Sequence, residues 1–154
     1  MLMKYVLCTI IASLLLISCS QQDRNPEEEG SRLIHAARTL MLSAQYQEAK
    51  DSILLIRQQY PTAFKARATG IIVLDSIELL ESQDSLALLN ERLNAEENLL
   101  QLLEEQNPTK RTPEFYAQRT KVFYLKQHVD EISAKVKFFL RKIEIDINKN
   151  LQNK

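Results

Sequence analysis

Large aliphatic residues recur every seven positions through two long stretches of this chain, and one short turn separates the stretches. The first stretch, residues 62–106, contains no proline and would form a helix ~68 Å long at about 1.5 Å per residue. A helix of that length needs a partner for its apolar stripe. The stripe consists of Ile72, Leu79, Leu86, Leu93 and Leu100 at heptad position a, with Leu89 and Leu103 at position d. The remaining d positions hold Asp75, Ser82 and Glu96, which weaken the apolar pattern.

The second stretch follows a turn at residues 107–113 and has the more regular heptads. Thr112 is the expected N-cap of its helix, and Pro113 fits the first helical position. Its a positions hold Phe115, Val122, Val129, Val136 and Ile143, and its d positions include Leu125, Ile132 and Phe139. Two heptad helices joined by a short turn predict an antiparallel coiled-coil hairpin over residues 62–147. Because glycine is scarce and Leu, Ile, Glu, Gln and Lys are abundant, the predicted fold class is all-α.

Charge also favours pairing of the two stretches with each other. Residues 71–106 hold nine acidic side chains and one basic one, whereas residues 107–154 hold eleven basic and five acidic ones. Opposite charges beside the apolar stripe favour an acidic helix next to a basic one over self-pairing of either. The contacts expected from this register are Leu93 with Leu125 and Val129, and Leu86 with Val136.

The end of the chain carries two conflicting patterns. Residues 142–148 alternate between polar and apolar, which is typical of a strand, yet Ile143 and Ile147 also continue the helical face. A lone strand has nothing to pair with. We therefore expect helix to about Leu140, a frayed end, and a disordered tail over residues 148–154; a short strand is the alternative.

At the other end, an apolar leader closes on the tetrapeptide Leu16-Ile17-Ser18-Cys19. Lys4 gives the leader a positive start, and its apolar run is too short to span a bilayer comfortably. The tetrapeptide resembles the lipobox of bacterial lipoprotein precursors. That resemblance implies a signal peptide at residues 1–18, cleavage between Ser18 and Cys19, and diacylglycerol and fatty-acyl groups on Cys19.

The same resemblance implies a place in the cell. Ser20 stands where an aspartate would, in the best-known sorting rule, retain a lipoprotein at the inner membrane. The expected location is therefore the bacterial outer membrane, facing either the periplasm or the outside. Cys8 lies in the leader and Cys19 would carry lipid, so no cysteine remains for a disulfide.

Residues 19–30 contain no large apolar residue and are expected to form a lipidated flexible tether. Apolar residues then recur at three- and four-residue spacing, which predicts two short helices between residues 31 and 61. Ser31 is the expected N-cap of the first helix, and Pro61 ends the second. Almost no loop separates them, so they should pack antiparallel.

Ala37, Tyr46, Ala49 and Pro61 stand at the relative spacing of a tetratricopeptide repeat, which this helix pair resembles over residues 30–63. The sequence departs from the family pattern at Leu33, Ala44, Ile53 and Ile56, where that pattern has tryptophan, glycine, an aromatic residue and a small residue. The resemblance implies a helical hairpin. A peptide-binding groove requires several stacked repeats and is not expected from one.

No set of residues has the spacing of a catalytic, metal or phosphate-binding site. His35 and His128 are the only histidines and lie in different segments, and no serine or cysteine sits in a nucleophile motif. Cations of the basic second stretch are interleaved with Phe123, Tyr124 and Phe138, a pattern that suggests nucleic acid or an anionic membrane surface as a partner. The acidic first stretch neutralises the basic one, which argues against both partners. We therefore predict a protein that is not an enzyme and has no cofactor, metal or small-molecule substrate.

Two further sets of residues are candidates for interaction or modification. Tyr124 and Phe138 fall outside positions a and d and are candidate contacts for a protein partner or a second copy. Three Asp-Ser-aliphatic tripeptides resemble the acceptor motif of a general O-glycosylation system of exported proteins, with Ser52, Ser76 and Ser85 as the acceptors.

The predicted function is that of a lipid-anchored adaptor or scaffold in the cell envelope. The alternative is a structural or surface lipoprotein that self-associates.

Overall fold

The computed structural model describes residues 25–152. They form four α-helices, α1 (Pro26–Leu42), α2 (Tyr46–Gln59), α3 (Phe64–Gln106) and α4 (Pro113–Gln152), and this part of the chain contains no strand. The all-α prediction is therefore confirmed for these residues. Helix α3 is central, because α1 and α2 pack on each other and on α3, while α4 packs along α3. The predicted signal peptide and the Ser18–Cys19 cleavage site lie outside the described residues.

Helix α1 begins at Pro26, so the prediction of a flexible tether is wrong for residues 26–30. Asn25, rather than Ser31, is the N-cap, and its Oδ1 accepts a hydrogen bond from the Glu27 N–H at 3.1 Å. Ser31 lies inside the helix, where its hydroxyl donates to the Glu27 carbonyl oxygen at 2.8 Å. The acidic run occupies the first turn, where the helix dipole favours negative charge.

The Glu27 side chain also caps a second helix. Its Oε1 accepts a hydrogen bond from the Lys65 N–H, and its Oε2 accepts one from the Ala66 N–H, both at 3.0 Å. The N-cap residue of α3 is Ala63, which has no side-chain acceptor of its own. A carboxylate from α1 therefore supplies the cap that the local sequence lacks.

Small residues allow α1, α2 and α3 to approach closely. Ala37 and Ala49 are fully buried between the helices. A Cβ added to Gly30 would lie 2.5 Å from the Ala66 Cβ, so the contact between α1 and α3 requires glycine. The larger side chains of this core are Ile34, Ile53, Ile56, Val73 and Ile77.

The α1–α2 turn is closed by backbone hydrogen bonds and by one contact to α3. The Ala44 N–H donates to the Met41 carbonyl at 3.1 Å, and the Gln45 N–H donates to the Leu40 carbonyl at 3.0 Å. Both bonds belong to a Schellman motif, and Ala44 has the positive φ of 56° that this motif requires. Next to the turn, the Tyr46 hydroxyl donates to the Asp84 carboxylate of α3.

Helix α4 lies antiparallel to α3, as the heptads predicted. Every a and d residue named for either stretch is buried or half-buried. Thr112 is confirmed as the cap of α4, because its Oγ1 accepts a hydrogen bond from the Phe115 N–H at 3.3 Å. At the turn, the Arg111 guanidinium lies 4.5 Å from the centre of the Phe115 ring and bonds to Glu104. The contacts expected of Leu93 and Leu86 stay predictions.

The end of the chain is helical as far as Gln152. The alternative strand over residues 142–148 is therefore wrong, and so is the disordered tail for residues 148–152. Ile143 is half-buried, and Lys142 forms an ion pair with Asp75 of α3. Because these contacts lie opposite the early turns of α3, they extend the heptad pairing into the segment whose alternating pattern suggested a strand.

Candidate functional site

The polar d positions of α3 lie inside the α3–α4 interface rather than interrupting it. Asp75 is 3% exposed and pairs with Lys142 through Oδ1, while its Oδ2 is buried without a hydrogen-bond partner. Ser82 is 2% exposed, and its hydroxyl donates to the Glu78 carbonyl at 2.6 Å. The α3–α4 interface is therefore polar near the early turns of α3, which agrees with the weak apolar heptad pattern of the sequence there.

Glu96, the third polar d residue, is bonded from two positions of α4. The Gln118 Nε2 donates to a Glu96 carboxylate oxygen at 2.8 Å and to its carbonyl at 2.9 Å. The Lys121 Nζ lies 2.6 Å from the other carboxylate oxygen. The hydrogen bond from Gln118, followed by that from Lys121, lowers the pKa of Glu96. These contacts link acidic α3 to basic α4 in the way the charge pattern predicted.

Glu78 connects three helices. Its carboxylate lies 2.8 Å from the Lys50 Nζ of α2 and 2.9 Å from the Lys135 Nζ of α4. Lys50 also bonds to Glu81 at 2.6 Å. Burial disfavours the charged form of Glu78, but the hydrogen bonds from Lys50 and Lys135 outweigh it, so the pKa of Glu78 is lowered. This network connects the α1–α2 pair to the α3–α4 hairpin.

An aromatic cluster lies on the outward side of α4 near the hairpin turn. Tyr116, Phe123 and Tyr124 are 54%, 56% and 63% exposed, and together with Arg119 and Thr120 they line a shallow depression. The Phe123 and Tyr124 rings meet edge to face, with centroids 5.6 Å apart. We call these three aromatic residues the tip cluster. Exposed aromatic side chains of this kind are enriched where proteins bind other proteins.

Phe138, the other candidate contact, belongs to a different surface. It lies fourteen residues after Tyr124, or ~21 Å along α4 at about 1.5 Å per residue. It is 59% exposed and lines a depression with Arg141, Lys142 and Ile145. The structure therefore does not bring Tyr124 and Phe138 together.

The sequence interpretation did not name Tyr116 or Phe123 as candidate contacts for a protein partner. Both occupy heptad position b, seven residues apart, and that spacing was the available signal. Position b faces away from the coiled-coil partner and normally holds polar residues. Aromatic residues repeated at this position therefore indicate a surface that contacts something other than water.

The three candidate glycosylation acceptors lie on helices and are half-buried. The Ser52 hydroxyl donates to the Glu48 carbonyl at 2.9 Å, and the Ser76 hydroxyl donates to the Ile72 carbonyl at 2.8 Å. Modification of Ser52 or Ser76 would require its hydroxyl to give up this hydrogen bond to the preceding turn.

The two histidines are exposed and lie on different helices, α1 and α4. Within residues 25–152, no three His, Cys, Asp or Glu side chains are grouped so that they could hold a metal ion. None of the four helices combines the length and apolar character needed to cross a membrane.

Comparison with known proteins found no matching family model, curated protein or solved structure.

Proposed function

We propose that this chain is a lipid-anchored adaptor of the bacterial cell envelope that binds a protein partner through the tip cluster and performs no catalysis. The tip cluster is the observation that carries the proposal. Large aromatic side chains are seldom left this exposed next to one another without a partner. Arg119 beside them adds a cation that an acidic group of the partner could bind.

The α3–α4 hairpin places the tip cluster far from the α1–α2 pair. The contact between Tyr46 and Asp84 marks where the α1–α2 pair ends along α3. Beyond it, α3 continues to Gln106, which is ~33 Å further at about 1.5 Å per residue. Residues 116–124 lie on that projecting part, where neither α1 nor α2 can cover them.

The anchor rests on the leader and the lipobox at residues 16–19. Replacing Cys19 with alanine should abolish incorporation of radiolabelled palmitate and leave the precursor uncleaved. Labelling that persists in Cys19→Ala would contradict the anchor without affecting the argument from the tip cluster.

Photocrosslinking in native cells tests partner binding. A photoreactive amino acid at Phe123 or Tyr124 should give one discrete crosslinked species containing a different protein. Leu42, which is 81% exposed at the end of α1, is the matched control position and should give no such species. Equal crosslinking from Leu42 and from the tip cluster would contradict a specific partner site.

A second candidate function is self-association, and apolar residues at heptad position c favour it. Leu88 and Leu102 of α3 are 68% and 54% exposed at this position, and Tyr124 occupies the equivalent position of α4. An apolar row on the outer side of a hairpin can pair with a second copy. Sedimentation of the detergent-solubilised protein decides between the two, because a stable homo-oligomer favours self-association and a monomer that co-purifies with another protein favours the adaptor.

Glycosylation at Ser52, Ser76 and Ser85 is a separate proposal that rests on the tripeptide motif alone. The intact mass of the native protein tests it. A mass equal to that of the bare acylated chain would contradict it.

A further inference from the structure

The end of the molecule opposite the tip cluster carries a second exposed surface, which we call the basal face. It is formed by three apolar side chains, Phe64, Ile71 and Ile145, and three cations, Arg57, Arg141 and Lys149. Phe64 is 69% exposed, and Ile71 and Ile145 are each 42% exposed. Four segments of chain meet at this end: the starts of α1 and α3 and the ends of α2 and α4.

The heptad positions place the two halves of the basal face on the same side of the hairpin. The ion pair between Glu78 and Lys135 shows which edges of α3 and α4 face each other. Ile71 and Phe64 lie one and two heptads before Glu78 on that edge of α3. Lys149 lies two heptads after Lys135 on the facing edge of α4. Because the helices are antiparallel, both rows converge at the base.

The cations of this face are available to a ligand. Arg57, Arg141 and Lys149 make no ion pair with any described residue. Asp146 is the one carboxylate that lines either of the two depressions on this face within the described part of the chain. The lining of the two depressions therefore combines a net positive charge with exposed apolar side chains, the combination by which peripheral proteins bind anionic membrane surfaces. The acidic first turn of α1, residues 27–29, lies at the same end of the molecule but lines neither depression.

The basal face also lies close to the proposed anchor. The Glu27 carboxylate binds the Lys65 N–H, so the start of α1 is in contact with the residue after Phe64. Since α1 begins at Pro26, only seven residue spacings separate it from Cys19, and they span at most about 25 Å when fully extended. A lipid on Cys19 would therefore hold the basal face near the membrane surface. A flexible tether as long as residues 19–30 would have allowed a larger distance between this face and the membrane.

We propose that the basal face docks on the membrane that holds the anchor, with its cations against anionic phospholipid headgroups and its apolar side chains in the headgroup region. The proposal rests on the proposed lipidation for its location, and on the face itself for its chemistry. The basal face and the tip cluster lie at opposite ends of the molecule, so docking at the base leaves the tip cluster uncovered for a partner.

Vesicle cosedimentation tests the proposal without the lipid. The chain from residue 19 onward with Cys19→Ala retains every described residue and should bind phosphatidylglycerol–phosphatidylcholine vesicles more strongly than pure phosphatidylcholine vesicles. Added salt should weaken the binding. The triple variant Arg57→Gln/Arg141→Gln/Lys149→Gln should partition about a hundredfold less well, because each cation near an anionic surface contributes about a fivefold preference.

The matched control removes three exposed cations elsewhere, Arg38→Gln/Arg92→Gln/Lys110→Gln, and has the same net charge as the basal variant. It should bind almost as well as the unsubstituted chain, and circular dichroism should show all three proteins equally helical. Equal loss in both triple variants, equal binding to the two vesicle types, or no binding at all would overturn membrane docking. Lipidation at Cys19 is judged separately by palmitate labelling, so failure of one proposal is not mistaken for failure of the other.

Discussion

Ala44 holds a backbone conformation that an L-residue adopts only at a cost. Its φ of 56° lies in the left-handed region, where the Cβ approaches the following carbonyl oxygen. We predict that Ala44→Gly stabilises the protein by about 0.5–1 kcal/mol, because relief of this strain exceeds the added chain entropy of glycine. The measurement is the free energy of unfolding in urea.

The neighbouring residue provides the control for this substitution. Ser43 has a φ of −94°, which every residue adopts readily, so Ser43→Gly should destabilise the protein slightly. If Ala44→Gly were no more stable than the unsubstituted chain, the Schellman geometry assigned to this turn would be wrong.

Glu27 is the second residue whose effect can be isolated. We predict that Glu27→Ala destabilises the protein by about 1 kcal/mol, because two N–H groups at the start of α3 lose their acceptor. Glu27→Gln should lose less, since the amide oxygen can still accept one hydrogen bond. Urea unfolding of both variants is the measurement.

Glu28 occupies the same first turn of α1 and is exposed, so Glu28→Ala should remove only a helix-dipole interaction worth a few tenths of a kcal/mol. Equal losses for Glu27→Ala and Glu28→Ala would show that the cap contributes nothing. The sequence could not have predicted this cap, because the residues it joins are almost forty positions apart and only the packing of α1 on α3 brings them together.

At the scale of the elements, the local patterns predicted the helices and their pairing. A heptad repeat can be recognised from residues that are close together in the sequence. The repeat therefore predicted α3, α4 and their antiparallel arrangement. The interpretation was wrong where two local signals conflicted, as in residues 142–148. There, burial of Ile143 against α3 determines the structure, and burial depends on a helix some seventy residues earlier.

The polar d positions show a related limit of the sequence. Asp75 is a defect in an apolar stripe when α3 is considered alone, but its partner Lys142 lies on the opposing helix. A polar residue in a coiled coil can fix the register at a cost in stability. The sequence contained both residues but not the register that makes them neighbours.

The cost at Asp75 can be measured. We predict that Asp75→Leu stabilises the protein by about 1 kcal/mol or more, because it removes a buried carboxylate oxygen that lacks a hydrogen bond and adds an aliphatic side chain at a d position. Lys142 is 38% exposed and can return to water when its partner is lost. Chemical denaturation of the purified protein gives the difference.

The converse substitution is the control. Lys142→Gln leaves the Asp75 carboxylate buried without a cation and should destabilise the protein by about 1–3 kcal/mol. A destabilised Asp75→Leu protein would mean that Asp75 contributes more through its ion pair than its burial costs.

At the scale of the whole molecule, the tip cluster and the basal face are exposed surfaces at opposite ends, and only the three-dimensional structure separates them. The sequence predicted Tyr124 and Phe138 outside the coiled-coil interface, and both are exposed. It treated them as one kind of contact, because residues that share a heptad position look equivalent along a helix. The pairing of α4 with the base of α3 makes Phe138 a neighbour of the basal cations, whereas Tyr124 lies with the tip cluster.

The Glu78 network joins α2, α3 and α4, and its pH dependence follows from the pKa shifts. The folded-state pKa of Glu78 is lowered from 4.5, so its contribution is present above about pH 4.5 and is lost as the pH falls through the lower value. Burial lowers the pKa of Lys50, but bonds to Glu78 and Glu81 outweigh it and raise the net pKa above 10.5. The contribution of Lys50 is therefore present below that pH and is lost as the pH rises through the higher value.

We predict that Glu78→Gln destabilises the protein at neutral pH and that its difference from the unsubstituted chain shrinks as the pH is lowered below about 4.5, because the native carboxylate then loses its charge as well. Urea unfolding at a series of pH values measures this convergence. Glu91→Gln is the control and should cost little at neutral pH, since Glu91 is exposed on α3 and forms no ion pair with the described residues. A Glu78→Gln difference that stays constant into acid would mean that the residue stabilises the helices by packing rather than by charge. The α1–α2 pair would then be joined to the hairpin through the aliphatic core alone.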